Sequence, residues 1–98
     1  MLSKIPFDLS KIDPKNLDKQ ILRIAIMAEL DAINLYEQLA SLTEDKNLQA
    51  VLLDIAREEK THVGEFLSML LIKDEEQEEE LEAGEEEISE LLEDEEEN

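Results

Sequence analysis

The chain has 98 residues, a formal net charge of −19, no cysteine and only three aromatic side chains, Phe7, Tyr36 and Phe66. That length supports one small domain, whose core must come from Leu, Ile, Val, Ala and Met, a composition suited to helix packing rather than to a sheet. Disulfides, thiolate metal sites and cysteine nucleophiles are excluded, and no apolar run approaches the roughly 20 residues that span a bilayer.

The charge is unevenly spread. Residues 73–98 carry sixteen acids and one base, whereas residues 1–72 carry twelve acids and eight bases. Such a chain lacks the clustered Lys and Arg that neutralise phosphates, which argues against nucleic acid or anionic lipid as partner. Metal cations or basic proteins fit better. The opening MLSKIPFDLS has no continuous apolar stretch of the signal-peptide kind, so a cytoplasmic location is expected.

In chain order, residues 1–13 mix apolar and basic side chains without helical period and read as an extended arm that packs on a neighbouring chain. Asp13 followed by Pro14 is a helix-start signal, with Asn16 as the competing cap. From Leu17 to Leu42 there is no Gly or Pro, and the density of Ala, Leu, Ile, Glu and Gln predicts a first helix. Thr43, ahead of Glu44 and Asp45, reads as a second N-cap, which predicts a second helix over residues 44–72 with Gly64 as its weak point. A linker of two or three residues makes residues 14–73 an antiparallel hairpin. Residues 74–98 form a low-complexity acidic tail or linker, expected to be solvated, with at most a short third helix around Ile88, Leu91 and Leu92.

Each long helix carries an apolar seam interrupted near its middle. Leu22, Ile26, Glu29, Ile33, Tyr36 and Ala40 share one face of the first, and Leu48, Leu52, Ile55, Glu59, His62, Phe66 and Met69 share one face of the second. Further apolar residues lie off both seams, among them Ile21, Ile24, Leu35, Val51, Val63 and Leu70. Two helices cannot bury all of this against each other, so a homodimer forming a four-helix bundle is expected, with surplus surface for a larger ring.

A carboxylate on an apolar seam is costly unless a cation, a proton or a partner neutralises it. Glu59 and His62 form a Glu-x-x-His pair on one helix face. Carboxylate-bridged di-iron sites in helical bundles use that pair twice, with one inward Glu from each of two other helices. This chain supplies Glu29, Glu59 and His62, half of such a set, and a second chain would complete it. Glu29, near the expected twofold axis, would bridge, with Glu59 and His62 as terminal ligands. The alternative is structural pairing of these carboxylates with Arg57, Lys60 or Arg23; Glu58 is the fallback ligand, and Glu65 falls toward the polar side. Tyr36 is either core packing or a hydrogen-bond partner to a ligand or oxidant. Asp31 and Glu37 are either solvated positions or guides for incoming cations. Met27 and Met69 read as core filler.

The segments AELDAINLYEQ and AREEKTHVGEF, in that order within residues 26–73, resemble the encapsulated ferritin family, the ferritin-like proteins of encapsulin nanocompartments. The likeness is strongest to the archaeal form fused ahead of an encapsulin shell protein; it covers about half the chain well and the arm and tail loosely. It implies that Glu29, Glu59 and His62 are ferroxidase ligands of a di-iron centre shared by two chains, two Fe per dimer, with Tyr36 as the aromatic beside it. It also implies annular decamers that oxidise Fe(II) to Fe(III) and pass the product to the shell for storage. Asp31 matches one position of the family's acidic cation inlet, while Ala28 stands where some members have Glu. The implied setting is inside an encapsulin compartment in the cytoplasm, the chain being either a domain of a shell fusion or a separate cargo. Two other readings stand beside this one: a di-iron peroxidase, and a non-catalytic oligomerisation module whose acidic tail binds cations.

Overall fold

The structure is a computed structural model that describes residues 8–97. Residues 1–7, most of the expected arm, lie outside the described residues. The rest of the arm is organised by two aspartates. Asp8 accepts hydrogen bonds at Oδ1 from the Ser10 amide (3.0 Å) and hydroxyl (2.6 Å), ahead of a 3₁₀ turn at Leu9–Lys11. Asp13 Oδ1 accepts from the Lys15 amide at 3.0 Å and caps a second 3₁₀ turn, Pro14–Asn16. The first long helix, α1 (Leu17–Leu42), follows directly, and Asn16 precedes it without a side-chain capping bond.

The second helix, α2 (Lys46–Lys73), starts two residues later than expected. Its cap is Asp45 rather than Thr43: Asp45 Oδ1 accepts from the amides of Asn47 (2.9 Å) and Leu48 (3.2 Å). A charged acceptor makes the stronger bond to an orphan helix amide. Thr43 is instead turned into the loop, its hydroxyl accepting from the Asp45 amide at 3.2 Å and its carbonyl from Gln49 Nε2 at 2.8 Å.

The two helices are antiparallel and about 40 Å long. Ion pairs mark the register, Asp18 with Lys73 at 3.3 Å and Glu37 with Lys60 at 3.4 Å, so that residue numbers rise on α1 as they fall on α2. Between them the buried apolar residues, among those described, are Ile33 and Ala40 on α1 and Ala56 and Leu70 on α2. On α2 this differs from the sequence expectation. The innermost line runs through Ala56 and Leu70, one position round from the seam of Ile55, His62 and Met69. Leu48 and Met69, at the two ends of that seam, are 46% and 47% exposed. Ala56 has the small side chain that lets α1 approach closely, and the rotation leaves Glu59 and His62 at the margin of the hairpin interface.

The acidic segment is a third helix, α3 (Glu75–Glu97), which passes straight through Gly84. Glu, Leu and Gln are good helix formers, and Glu75, Glu76 and Glu78 sit in the first turn where they oppose the helix dipole. Asp74 caps it, accepting from the Gln77 amide at 3.1 Å. Yet α3 buries none of its large apolar residues: Leu81, Ile88, Leu91 and Leu92 are all exposed.

A single chain is therefore open in shape. Its radius of gyration is 17.5 Å, against about 12.5 Å for a compact domain of this length. Its accessible surface is 7708 Å², against about 5,700 Å² for a compact monomer of this mass.

Candidate metal centre

Midway along the hairpin α1 contributes Glu29, and α2 contributes Glu59 and His62 one turn apart. His62 Nδ1 lies 3.4 Å from Glu29 Oε2 and 3.4 Å from Glu59 Oε2. All three donor atoms fall within 4.8 Å of one another, and no other group of three His, Cys, Asp or Glu is so arranged among the described residues. Glu29 Oε2 is buried without a hydrogen-bond partner. A carboxylate oxygen in that state is destabilised until something positive arrives.

The three bases that sequence offered as alternative partners are engaged elsewhere. Arg57 pairs with Asp54 at 2.7 Å, Lys60 with Glu37 at 3.4 Å and Arg23 with Asp74 at 2.8 Å. None of these pairs includes Glu29 or Glu59. Glu58 and Glu65 are exposed and stand outside the cluster.

The spacing suits a shared cation, since two ligands each about 2.1 Å from one metal lie about 3 Å apart at right angles and further apart as the angle opens. The site is one-sided. Glu29 and Glu59 side chains are 19% exposed, whereas the His62 side chain is 44% exposed, so the imidazole edge of the cluster opens to the surface of the single chain. Tyr36 is half-buried seven residues along α1 from Glu29, about 10 Å of helical rise. Asp31 is half-buried two residues after Glu29, on a different face of α1 and outside the converging donors.

One residue of consequence was not singled out from sequence. Asp74 is the buried polar residue among those described. It closes α2, caps α3 and accepts from Arg23 Nη2 on α1 at 2.8 Å. The Gln77 amide holds its carboxyl below the usual range, helped by the charges of Arg23 and Lys19 and opposed by burial. The signal was present: Asp74-Glu75-Glu76-Gln77 has the spacing of a capping box, an N-cap residue with Gln three positions on.

Comparison with known proteins agrees with the architecture. The chain is 54% identical over 93 residues to the ferritin-like-encapsulin shell fusion protein of Pyrococcus furiosus. That match covers 93% of this chain and 27% of the relative, so the chain spans about a quarter of the relative's length. The crystal structure of the encapsulated ferritin domain from Pyrococcus furiosus superposes with a TM-score of 0.79 at 54% identity, covering 93% of this chain and 95% of that one. The sequence model of the EncFtn-like family matches residues 7–94, nearly the whole chain, and the chain belongs to that family.

Proposed function

We propose that the protein is a ferroxidase that oxidises Fe(II) to Fe(III) at a di-iron site assembled from Glu29, Glu59 and His62 of two chains. The observation that carries this reading is the buried, unpartnered Glu29 carboxylate oxygen aimed at the His62 and Glu59 donors. Iron(II) accepts both carboxylate and imidazole ligands. Family membership supports the same chemistry, and the open His62 side of the cluster supports completion by a second chain.

In this reading Fe(II) is the substrate. Two copies of the half-set bring four carboxylates together, whose negative charge favours the Fe(III) product over Fe(II). Each pair of irons releases two electrons, which reduce dioxygen to peroxide or peroxide to water. The exposed apolar residues of all three helices supply surface for the dimer and for a larger ring, a decamer being the family-like arrangement. The Pyrococcus furiosus relative joins a ferritin-like part to an encapsulin shell. The product would accordingly pass to mineral stored inside an encapsulin compartment in the cytoplasm. No helix among the described residues is long and apolar enough to cross a membrane. Tyr36 is the candidate for a hydrogen bond to a ligand or oxidant, and Asp31 for guiding cations.

The test is anaerobic Fe(II) titration of the metal-free protein by native mass spectrometry, with Glu59→Ala in parallel. Two tightly held irons per pair of chains, lost in the variant, are expected. Many weak irons per chain, unchanged in the variant, would mean diffuse binding to α3 and would sink the proposal. Stoichiometric tight iron on a monomer would sink the shared site while keeping the ligands.

A further inference from the structure

We infer that the Arg23–Asp74 ion pair is a latch that holds α3 bent away from α2, and that releasing it lets α2 and α3 join into one continuous helix. Nothing in the backbone chemistry demands a break at residue 74. No Gly or Pro lies between Gly64 and Gly84, and the flanking Ile72, Lys73, Glu75, Glu76 and Gln77 are all compatible with helix. Asp74 alone leaves helical conformation, with φ −138° and ψ 89°, and the Glu78 amide still reaches back to the Asp74 carbonyl at 3.3 Å. A helical residue 74 would restore the regular hydrogen-bond ladder across the joint.

What opposes that ladder is the Asp74 side chain. One carboxylate oxygen caps α3 through the Gln77 amide, and the other accepts from Arg23 on α1. The neighbouring Asp18–Lys73 pair ties the end of α2 to the same stretch of α1. The bend is large: α2 and α3 run straight would span about 78 Å, whereas the longest dimension of the molecule is 50 Å. Within a single chain little else restrains α3, whose large apolar residues are exposed there. Two arrangements of one joint thus differ by a few polar contacts, and the latch decides where the stripe of Leu81, Ile88, Leu91 and Leu92 is presented.

The absence of cysteine makes the test clean, because two introduced cysteines are the only labelling sites. Spin labels at the exposed positions Glu65 and Ser89, in full-length chains diluted with excess unlabelled chain, report the joint by pulsed electron resonance. A near-right-angled bend places the two positions about 26 Å apart, and a straight helix about 36 Å apart. The wild type should give the shorter distance. Asp74→Ala, which removes both cap and ion pair, should move the main population to the longer one. Asp74→Asn, which keeps a capping side chain, should populate both. An unchanged distance in Asp74→Ala overturns the latch. Arg23→Leu, which removes the ion pair and keeps the cap, decides in either case and stands alone should circular dichroism show Asp74→Ala unfolded: a new long-distance population supports the latch, and the wild-type distance alone overturns it.

Discussion

The hairpin and α3 are both regular helix, yet they are held by different means. In the hairpin both signs of charge alternate, ion pairs tie α1 to α2, and Ile33, Ala40, Ala56 and Leu70 lose their contact with water. In α3 fifteen acids stand without a single base, and its large apolar residues remain exposed. The hairpin helices draw on tertiary packing, the main source of helix stability in proteins. Helix α3 draws on intrinsic propensity and on one well-made cap, against repulsion between acids four residues apart. The candidate metal site follows the same division: the converging donors lie where packing can hold a costly carboxylate in place, and the segment without packing offers only surface.

The sharpest way to break this division is to remove the costly carboxylate itself. Glu29→Leu should abolish tight iron binding and slow iron oxidation by more than the ~10–100-fold that loss of an outer partner of a metal ligand costs. The same substitution should stabilise the metal-free protein, because it exchanges a buried oxygen that has no hydrogen-bond partner for apolar surface in the hairpin interface. A gain of about 1 kcal/mol would raise Tm by about 4–8 °C in a domain of this size. Thermal unfolding in chelator and stopped-flow oxidation on one preparation check both halves. A variant that loses stability along with iron would mean that Glu29 is a structural residue.

Next in size is a pair of leucine truncations. Leu70, 3% exposed in the hairpin, should lose about 3 kcal/mol on conversion to Ala. Leu91→Ala in α3, where the side chain is 54% exposed, should cost a dilute monomer less than about 0.5 kcal/mol. Chemical denaturation at low and high protein concentration separates the two. If the Leu91 cost grows with concentration, a second copy covers the stripe.

Much of this was legible beforehand because period and residue type coincide. The bounds of α1 follow from a run without Gly or Pro, the antiparallel hairpin from the short linker, and the trio Glu29, Glu59 and His62 from alternating spacings of three and four; the structure brings that trio together. Three features were harder to read. Asp45 takes the capping place expected of Thr43 because two capping residues stand within one turn, and Thr43 reaches only the Asp45 amide while Asp45 reaches those of Asn47 and Leu48. The line of α2 buried deepest against α1 runs through Ala56 rather than Ile55, a choice the sequence leaves open because both are apolar and the outcome depends on how closely α1 approaches. The length of α3 is hard to read because charge density argues for solvation, and the capping box at Asp74 is set within a low-complexity run.

A smaller effect comes from the glycines. Gly64 in α2 and Gly84 in α3 both have ordinary helical backbone, and an added Cβ at either meets nothing within 4 Å. Each conversion to Ala should therefore stabilise its helix by about 0.8–1 kcal/mol. The comparison lies in where the gain appears. Gly84→Ala should raise helicity and amide protection within α3 alone, leaving hairpin unfolding unchanged. Gly64→Ala should raise the unfolding temperature of the hairpin. If Gly64→Ala instead weakens assembly, a second chain approaches α2 there and the glycine is kept for clearance.

The smallest expected effect tests the joint between the two regions. With its carboxyl held below the ordinary 3.8 by the Gln77 amide and by Arg23 and Lys19, Asp74 favours the folded state while ionised. That contribution is fully present above about pH 4 and is lost as pH falls through the lower value that the carboxyl has in the folded chain. Asp74→Asn keeps a capping side chain but cannot titrate. The stability difference between wild type and variant should hold steady from neutral pH down to about 4 and shrink below it, as read by denaturant unfolding at a series of pH values. The effect is small because Arg23 is 45% exposed and solvent screens the pair. A difference that stays constant into strong acid would show that the negative charge of Asp74 contributes nothing to the joint, either through the bond from the Gln77 amide or through the Arg23 pair.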